Sequence, residues 1–309
     1  MRTRRLGSNG PQISVIGFGA WEAGGDAEAW GANESDDAVI RAIRAGLDAG
    51  IDWIDTAEVY GDGESERLVG RAVAGRRDQV QIASKVAPTD EGSGFRPEQV
   101  LAACDRSLQR MAVDVIDLYQ LHWPDPTGVP IEDTWGAMVQ LQDDGKIRFL
   151  GVSNFDRELI QRCEAIRHVD SLQQEFSMLA LQDRELIAWC GEVGTGVVSY
   201  GPLGFGLLTG KISRAQATAI SDWRRSEEGP FTDEKLDRDL AIVDGLRLIG
   251  GGLGIAMAQL ALAWNVAQPG VTSAIAGSRD PDHARDNAAA GELELDRDTL
   301  SAIEAVLAG

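Results

Sequence analysis

Eight short apolar segments, rich in β-branched residues, recur along this chain, and each is followed by a stretch with helical periodicity. That alternation builds repeated βα units around a parallel sheet, because a parallel connection needs a crossover long enough to hold a helix. The segments fall at 14–18, 53–55, 80–85, 115–122, 149–153, 171–173, 196–200 and 272–276. Eight such units suit a closed (β/α)8 barrel of the TIM type, which takes about 250 residues plus insertions. A chain of 309 residues is therefore expected to be a single α/β barrel domain over 1–309. Ahead of the first segment, Ser8-Asn9-Gly10 is a turn signal between 4–6 and 12–13. It predicts a small N-terminal β-hairpin that could plug the barrel base.

The helical stretches carry the expected stripes. Ala38, Ile40, Ala42, Ile43 and Leu47 share one face, with Ser35 or Asp36 as a cap. Pro97 opens another helix, ahead of Val100, Leu101, Cys104 and Leu108. Residues 256–264 are apolar nearly all round, the pattern of a deeply packed helix. The connection 201–230, after the seventh strand, is rich in Gly, Ser and charge and far longer than an ordinary βα loop. Long loops at that end of a barrel are expected to serve as functional lids.

The formal net charge of -20 would repel nucleic acid and anionic membranes. No apolar run approaches the roughly 20 residues that span a bilayer. The basic start, Met1-Arg2-Thr3-Arg4-Arg5, is followed by no hydrophobic region, so no export signal is expected and the protein is read as cytoplasmic. Cys104, Cys163 and Cys190 are odd in number and widely spaced, which argues against disulfide or metal frameworks. Lysine occurs only at 85, 146, 211 and 235. An acidic, lysine-poor surface fits either adaptation to salt or a genome that favours arginine codons.

The strand ends carry the chemistry. The segments terminate in Asp55, Lys85, His122, Ser153-Asn154, Gln173, Tyr200 and Ser278-Arg279, and Tyr60 follows soon after Asp55. Barrel active sites occupy this C-terminal face. Taken singly, Asp55 with Lys85 could be a structural ion pair, Tyr60 a packed surface residue and His122 a core histidine; together they point to an acid/base site. A cation about 4 Å from a phenol favours phenolate by up to about 4 kcal/mol at an effective dielectric near 20, roughly three pK units. Lys85 is therefore expected to bring Tyr60 towards neutrality, with Asp55 steadying Lys85 and His122 orienting a carbonyl oxygen or relaying the proton. A proton donor aimed at a carbonyl needs a hydride donor opposite, which implies a nicotinamide cofactor. Other motifs fail. Gly17-Phe18-Gly19-Ala20-Trp21 lacks the third glycine of a dinucleotide fingerprint, and 250–255 ends wrongly and follows no strand. Residues 206–211 fall one short of a P-loop.

These residues resemble the aldo-keto reductase superfamily over nearly the whole chain, nearest its bacterial branches related to potassium-channel β subunits and to sugar or aldehyde reductases. The resemblance rests on Gly17-Phe18-Gly19-Ala20-Trp21, Asp55-Thr56-Ala57-Glu58-Val59-Tyr60-Gly61, Ser65-Glu66, Gly151-Val152-Ser153-Asn154-Phe155, Tyr200-Gly201-Pro202-Leu203, Ile275-Ala276-Gly277-Ser278-Arg279 and Asp286-Asn287. It implies a tetrad of Asp55, Tyr60, Lys85 and His122, with Tyr60 as proton donor. It implies that Ser153, Asn154 and Gln173 hold the carboxamide of NADP(H) and that Tyr200 stacks on the nicotinamide. Backbone near Gly201, Pro202, Leu203, Gly204 and Gly206 would meet the pyrophosphate. Gly277, Ser278 and Arg279 would reach the 2′-phosphate, with His283 at a position often Gln or Arg, and Asp286 and Asn287 near adenine. A guanidinium suits a phosphate, so Arg279 favours NADPH over NADH. Trp21, Tyr60, His122, Trp123 and Phe155 would line the substrate pocket, joined by Trp223 unless it and Trp30 merely pack loops.

The expected activity is NADPH-dependent reduction of an aldehyde, ketone or sugar carbonyl. Two alternatives stand beside it. One is an NADP(H)-binding regulatory subunit with little turnover. The other is an isomerase or aldolase with Lys85 as a Schiff base, which a carboxylate beside the amine disfavours.

Overall fold

Alternating short strands around the turn at residues 8–10 form an antiparallel pair, Thr3–Arg5 (β1) and Gln12–Ser14 (β2), with Thr3 opposite Ser14 and Arg5 opposite Gln12. The computed structural model describes residues 1–25, 35–88, 95–227 and 229–308; Trp30 lies outside them. The barrel strands are Ile16–Gly19 (β3), Trp53–Asp55 (β4), Gln81–Val86 (β5), Ile116–Leu121 (β6), Ile147–Ser153 (β7), Ser171–Glu175 (β8), Gly196–Tyr200 (β9) and Val271–Gly277 (β10). All are parallel and close in the order β10-β3-β4-β5-β6-β7-β8-β9, with β9 pairing back to β10. The first barrel strand starts two residues later than expected because Ser14 is used by the hairpin. The sixth runs on to Glu175 because Gln174 and Glu175 pair with Ser199 and Tyr200.

The helices are Asp36–Asp48 (α1), Glu64–Val73 (α2), Pro97–Met111 (α3), Ile131–Asp143 (α4), Arg157–Glu164 (α5), Arg184–Val193 (α6), Arg214–Ala219 (α7), Asp233–Leu253 (α8), Met257–Ala267 (α9), Pro281–Ala289 (α10) and Arg297–Leu307 (α11). Ser35 caps α1, its side chain accepting from the Ala38 amide at 3.2 Å; Asp36 sits in the first turn instead. Residues 260–266 of α9 are all buried, and Trp264 stacks on Phe176 with ring centroids 5.5 Å apart. The glycine run at 250–252 belongs to the last turn of α8, which Gly254 ends at φ 71°. Among the described residues no single helix is long and apolar enough to cross a membrane.

The hairpin closes one end of the barrel. Leu6 and Ile13 pack on Trp53, Ala83, Leu118 and Val198 in an apolar cluster inside the strands. Gly17 makes room for Trp53, since a Cβ there would come within 2.1 Å of the indole. The indole N–H donates to Ser14 O and to Ser273 Oγ, both at 3.1 Å. The base is thus packed and apolar.

Asp117 on β6 ties this lower part together. Its carboxylate, 1% exposed, accepts from Arg77 at 2.6 Å, from Arg148 at 2.8 Å and from the Ile82 amide at 2.8 Å. Both arginines can turn to water, but the Ile82 amide would lose this acceptor. Asp117→Ala should therefore cost about 1–3 kcal/mol in urea unfolding, with kcat nearly unchanged.

Candidate active site

Asp55 ends β4, and its register partner on β5 is Ala83. Side chains alternate along a strand, so Lys85, two residues on, points the same way and brings its ammonium to Asp55. Lys85 is fully buried. Its Nζ donates to Asp55 Oδ2 at 2.8 Å, Thr56 O at 2.9 Å and Tyr60 Oη at 3.2 Å. All three ammonium protons are used, and a Schiff-base nucleophile, which needs a free lone pair, is not what this geometry provides.

Tyr60 arrives on the loop between β4 and α2. That loop turns through three successive left-handed residues, Gly61 (φ 60°), Asp62 (φ 51°) and Gly63 (φ 81°). Gly61 also presses on Gly24, whose carbonyl oxygen would sit 2.0 Å from any Cβ there. His122 follows β6, its amide donating to Val86 O at 2.9 Å. The Tyr60 and His122 rings meet edge-on at 5.7 Å.

The electrostatics correct one expectation. Burial, reinforced by Asp55, pushes the Tyr60 phenol well above its ordinary range rather than towards neutrality. Desolvation of the phenolate, with the Asp55 carboxylate nearby, outweighs the contact with Lys85. Burial likewise lowers Lys85, while Asp55 pulls it back up. His122 is held well below the ordinary imidazole range, first by burial and then by Lys85, so its ring is neutral at neutral pH. The resting site therefore presents a protonated phenol beside a neutral imidazole whose buried Nδ1 has no partner.

Asp55 is held from across the barrel as well. Gln173 Nε2 on β8 donates to Asp55 Oδ1 at 2.8 Å. Asn154, in a left-handed conformation at φ 62°, donates to His122 O and to Ser153 Oγ, each at 3.1 Å. Tyr200 Oη donates to Asn154 Oδ1 at 2.8 Å, which fixes the Tyr200 ring. Polar ends of β4 to β9 are thereby linked into one floor.

Above that floor opens a cleft of about 960 Å³. Asp55, Tyr60, His122, Ser153, Asn154, Gln173 and Tyr200 line it, as do Gly201, Pro202, Leu203, Gly204 and Gly206, and, farther along the chain, Gly277, Ser278, His283, Asp286 and Asn287. Arg279 is not among the lining residues, although its charge reaches Glu22. The long connection is built of short helical pieces, including Gly204–Thr209, α7 and Trp223–Arg225. It carries Trp223 to within 5.3 Å of Trp21, ring to ring, and Phe205 edge-on to Trp223 at 5.0 Å. Trp21 stacks 6.0 Å from Tyr60, and Trp123 lies flat on His122 at 3.7 Å. Trp21, Trp123 and Trp223 thus form an aromatic wall around the phenol.

Phe155 is a correction. It is 1% exposed and belongs to the hydrophobic core, because the chain after Asn154 turns its ring inward rather than to the cleft. Sequence reasoning missed Glu22, a cleft-lining carboxyl raised by burial against the pull of Arg279, Arg224 and His283. It also missed Lys211, whose Nζ approaches His283 Nε2 at 3.4 Å across a separation of 72 positions. No local pattern signals either.

The family model described as the aldo/keto reductase family matches residues 15–308. The chain belongs to this family. As an aldo/keto reductase, it is an oxidoreductase. It is 36% identical over 289 residues to aldo-keto reductase YhdN of Bacillus subtilis (strain 168), which covers 91% of this chain and 86% of that one. Among solved structures, the glycerol dehydrogenase AKR11B4 of Gluconobacter oxydans superimposes with a TM-score of 0.86 at 31% identity, over 99% of this reductase and 94% of that chain. An aldo/keto reductase of Klebsiella pneumoniae, solved in complex with NADP and acetate, gives 0.77 at 29% identity, over 99% and 96%.

Proposed function

We propose that this reductase, one functional unit over 1–309, converts the carbonyl of a small aldehyde, ketone or sugar to an alcohol with NADPH, and that Tyr60 gives the proton. The observation that carries this reading is the Tyr60 hydroxyl, 3.2 Å from Lys85 and opening onto the cleft. When bound, the nicotinamide supplies the hydride. Ser153, Asn154 and Gln173 would hold its carboxamide, and the Tyr200 ring would lie against it. The fit is supported by the three left-handed glycines 201, 204 and 206, whose bare backbone lines the cleft as a pyrophosphate would require. Lys211 and His283, 3.4 Å apart, line the same cleft as Asp286 and Asn287.

Tyr60 and the His122 ring flank the space for a carbonyl oxygen, and a protonated phenol is the form a reduction needs. Asp55 and Lys85 hold that phenol in place without touching the substrate. The aromatic wall of Trp21, Trp123 and Trp223 would exclude water and accept an apolar body.

The test is consumption of NADPH and of NADH, side by side, with an activated aldehyde such as nitrobenzaldehyde. Turnover with NADPH at the lower KM is expected; tight NADPH binding with no turnover across a wide carbonyl panel would overturn the reading. Arg279→Ala should raise the KM for NADPH roughly tenfold or more and leave that for NADH nearly unchanged, since only the former has a phosphate for a guanidinium to grip.

A further inference from the structure

We propose that Arg110, outside the cleft, is a positioning residue that sets the Tyr60–Lys85 contact by anchoring the Tyr60 loop to the chain on both sides of Lys85. The inference rests on the reading of Tyr60 as proton donor.

Arg110 lies in the last turn of α3. Its Nε donates to Glu66 Oε2 at 2.5 Å, and a second nitrogen lies 3.7 Å from Glu58 Oε2 and donates to Ser107 Oγ at 3.2 Å. Its methylene stem fills the space beneath Gly63, where a Cβ would come within 2.4 Å of Arg110 Cδ. One guanidinium therefore reaches the residue two before Tyr60, the turn just after it and the first turn of α2.

Both carboxylates then continue to the segment around Lys85. Glu66, fully buried, accepts from Ser84 Oγ at 2.5 Å. Glu58 accepts from the Ala87 amide at 3.0 Å, and it lies about equally far from two cations, Arg110 at 3.7 Å and the exposed Arg106 at 3.8 Å. Ser84 immediately precedes Lys85, and Ala87 is two residues beyond it. The loop that bears the phenol and the helix turn after it are thus pinned to the chain before and after the lysine they must meet, at Ser84 within β5 and at Ala87 just past its end. The loop backbone meets β5 through the Glu58 amide, which donates to Lys85 O at 3.3 Å, and past Tyr60 it turns through three left-handed residues. Removing Arg110 leaves the fully buried Glu66 without its cation and Glu58 with Arg106 alone, which loosens the setting of the loop against the Lys85 segment.

The experiment compares Arg110→Met, Arg110→Lys, Glu58→Gln and Tyr60→Phe by steady-state kinetics and by quenching of tryptophan fluorescence with NADPH. Arg110→Met should lose roughly 10- to 100-fold in kcat, the scale of a misplacement of about 1 Å, while KM for the aldehyde and NADPH affinity hold. Arg110→Lys should recover part of the loss, since an ammonium can meet Glu66. Glu58→Gln should show the same split in smaller measure, and it carries the test if Arg110→Met does not fold. A general destabilisation would instead lower cofactor affinity and active fraction together. Wild-type kcat in both Glu58→Gln and any folded Arg110 variant overturns the proposal. Full activity in Tyr60→Phe would remove the underlying assignment of the donor instead, a distinct outcome.

Discussion

Replacing Tyr60 with phenylalanine should lower kcat for carbonyl reduction by about 10²- to 10⁴-fold, the range that a positioned proton donor supplies. The ring stays, so its packing against Trp21 and the edge contact with His122 stay. Only the hydroxyl is lost, with its 3.2 Å bond from Lys85. NADPH affinity should therefore change little, and single-turnover measurement of cofactor oxidation isolates the effect on the chemical step. Because burial raises the phenol pKa, the wild-type donor stays protonated through neutral pH. The rate of reduction should show no fall attributable to this group below about pH 9. A variant with nearly wild-type single-turnover rate would contradict the assignment of the donor.

Lys85→Met should damage both stability and activity. The ammonium is fully buried and bonded to three oxygens, and its removal leaves Asp55 with Gln173 as its remaining side-chain donor. Breaking a buried pair from one side costs about 3–5 kcal/mol, because the remaining charge stays in a dry site. Urea unfolding followed by circular dichroism measures this directly. Activity should fall alongside, since the phenolate formed after proton transfer loses the cation beside it. Exchanging Asp55 and Lys85 together for apolar residues should cost much less stability than Lys85→Met while leaving activity equally low. That pattern would separate the energetic role of the pair from its chemical one.

Much of this architecture was legible in the chain. Short runs such as 53–55 and 196–200 are buried on both faces, so they stand out between amphipathic helices, and their polar ends mark the mouth. The period of two along β5 then brings Lys85 to Asp55 once the strands are adjacent. What was illegible depends on long-range arrangement. Gln173 meets Asp55 across 118 positions, and Lys211 meets His283 across 72. Phe155 was misread because its position just after Asn154 does not say whether its ring faces the cleft or the core, and it is buried in the core. The direction of the Tyr60 shift depended on desolvation and on the Asp55 charge, neither of which a sequence displays.

The plug of Leu6 and Ile13 has a consequence for proton supply. Among the described residues the barrel base is filled by apolar side chains, while Tyr60 lines the cleft on the opposite side, so solvent would reach its oxygen from the cleft. On the proposed reading a bound alcohol would then stand between the spent phenolate and bulk water, and a solvent isotope effect on product release is the expected result.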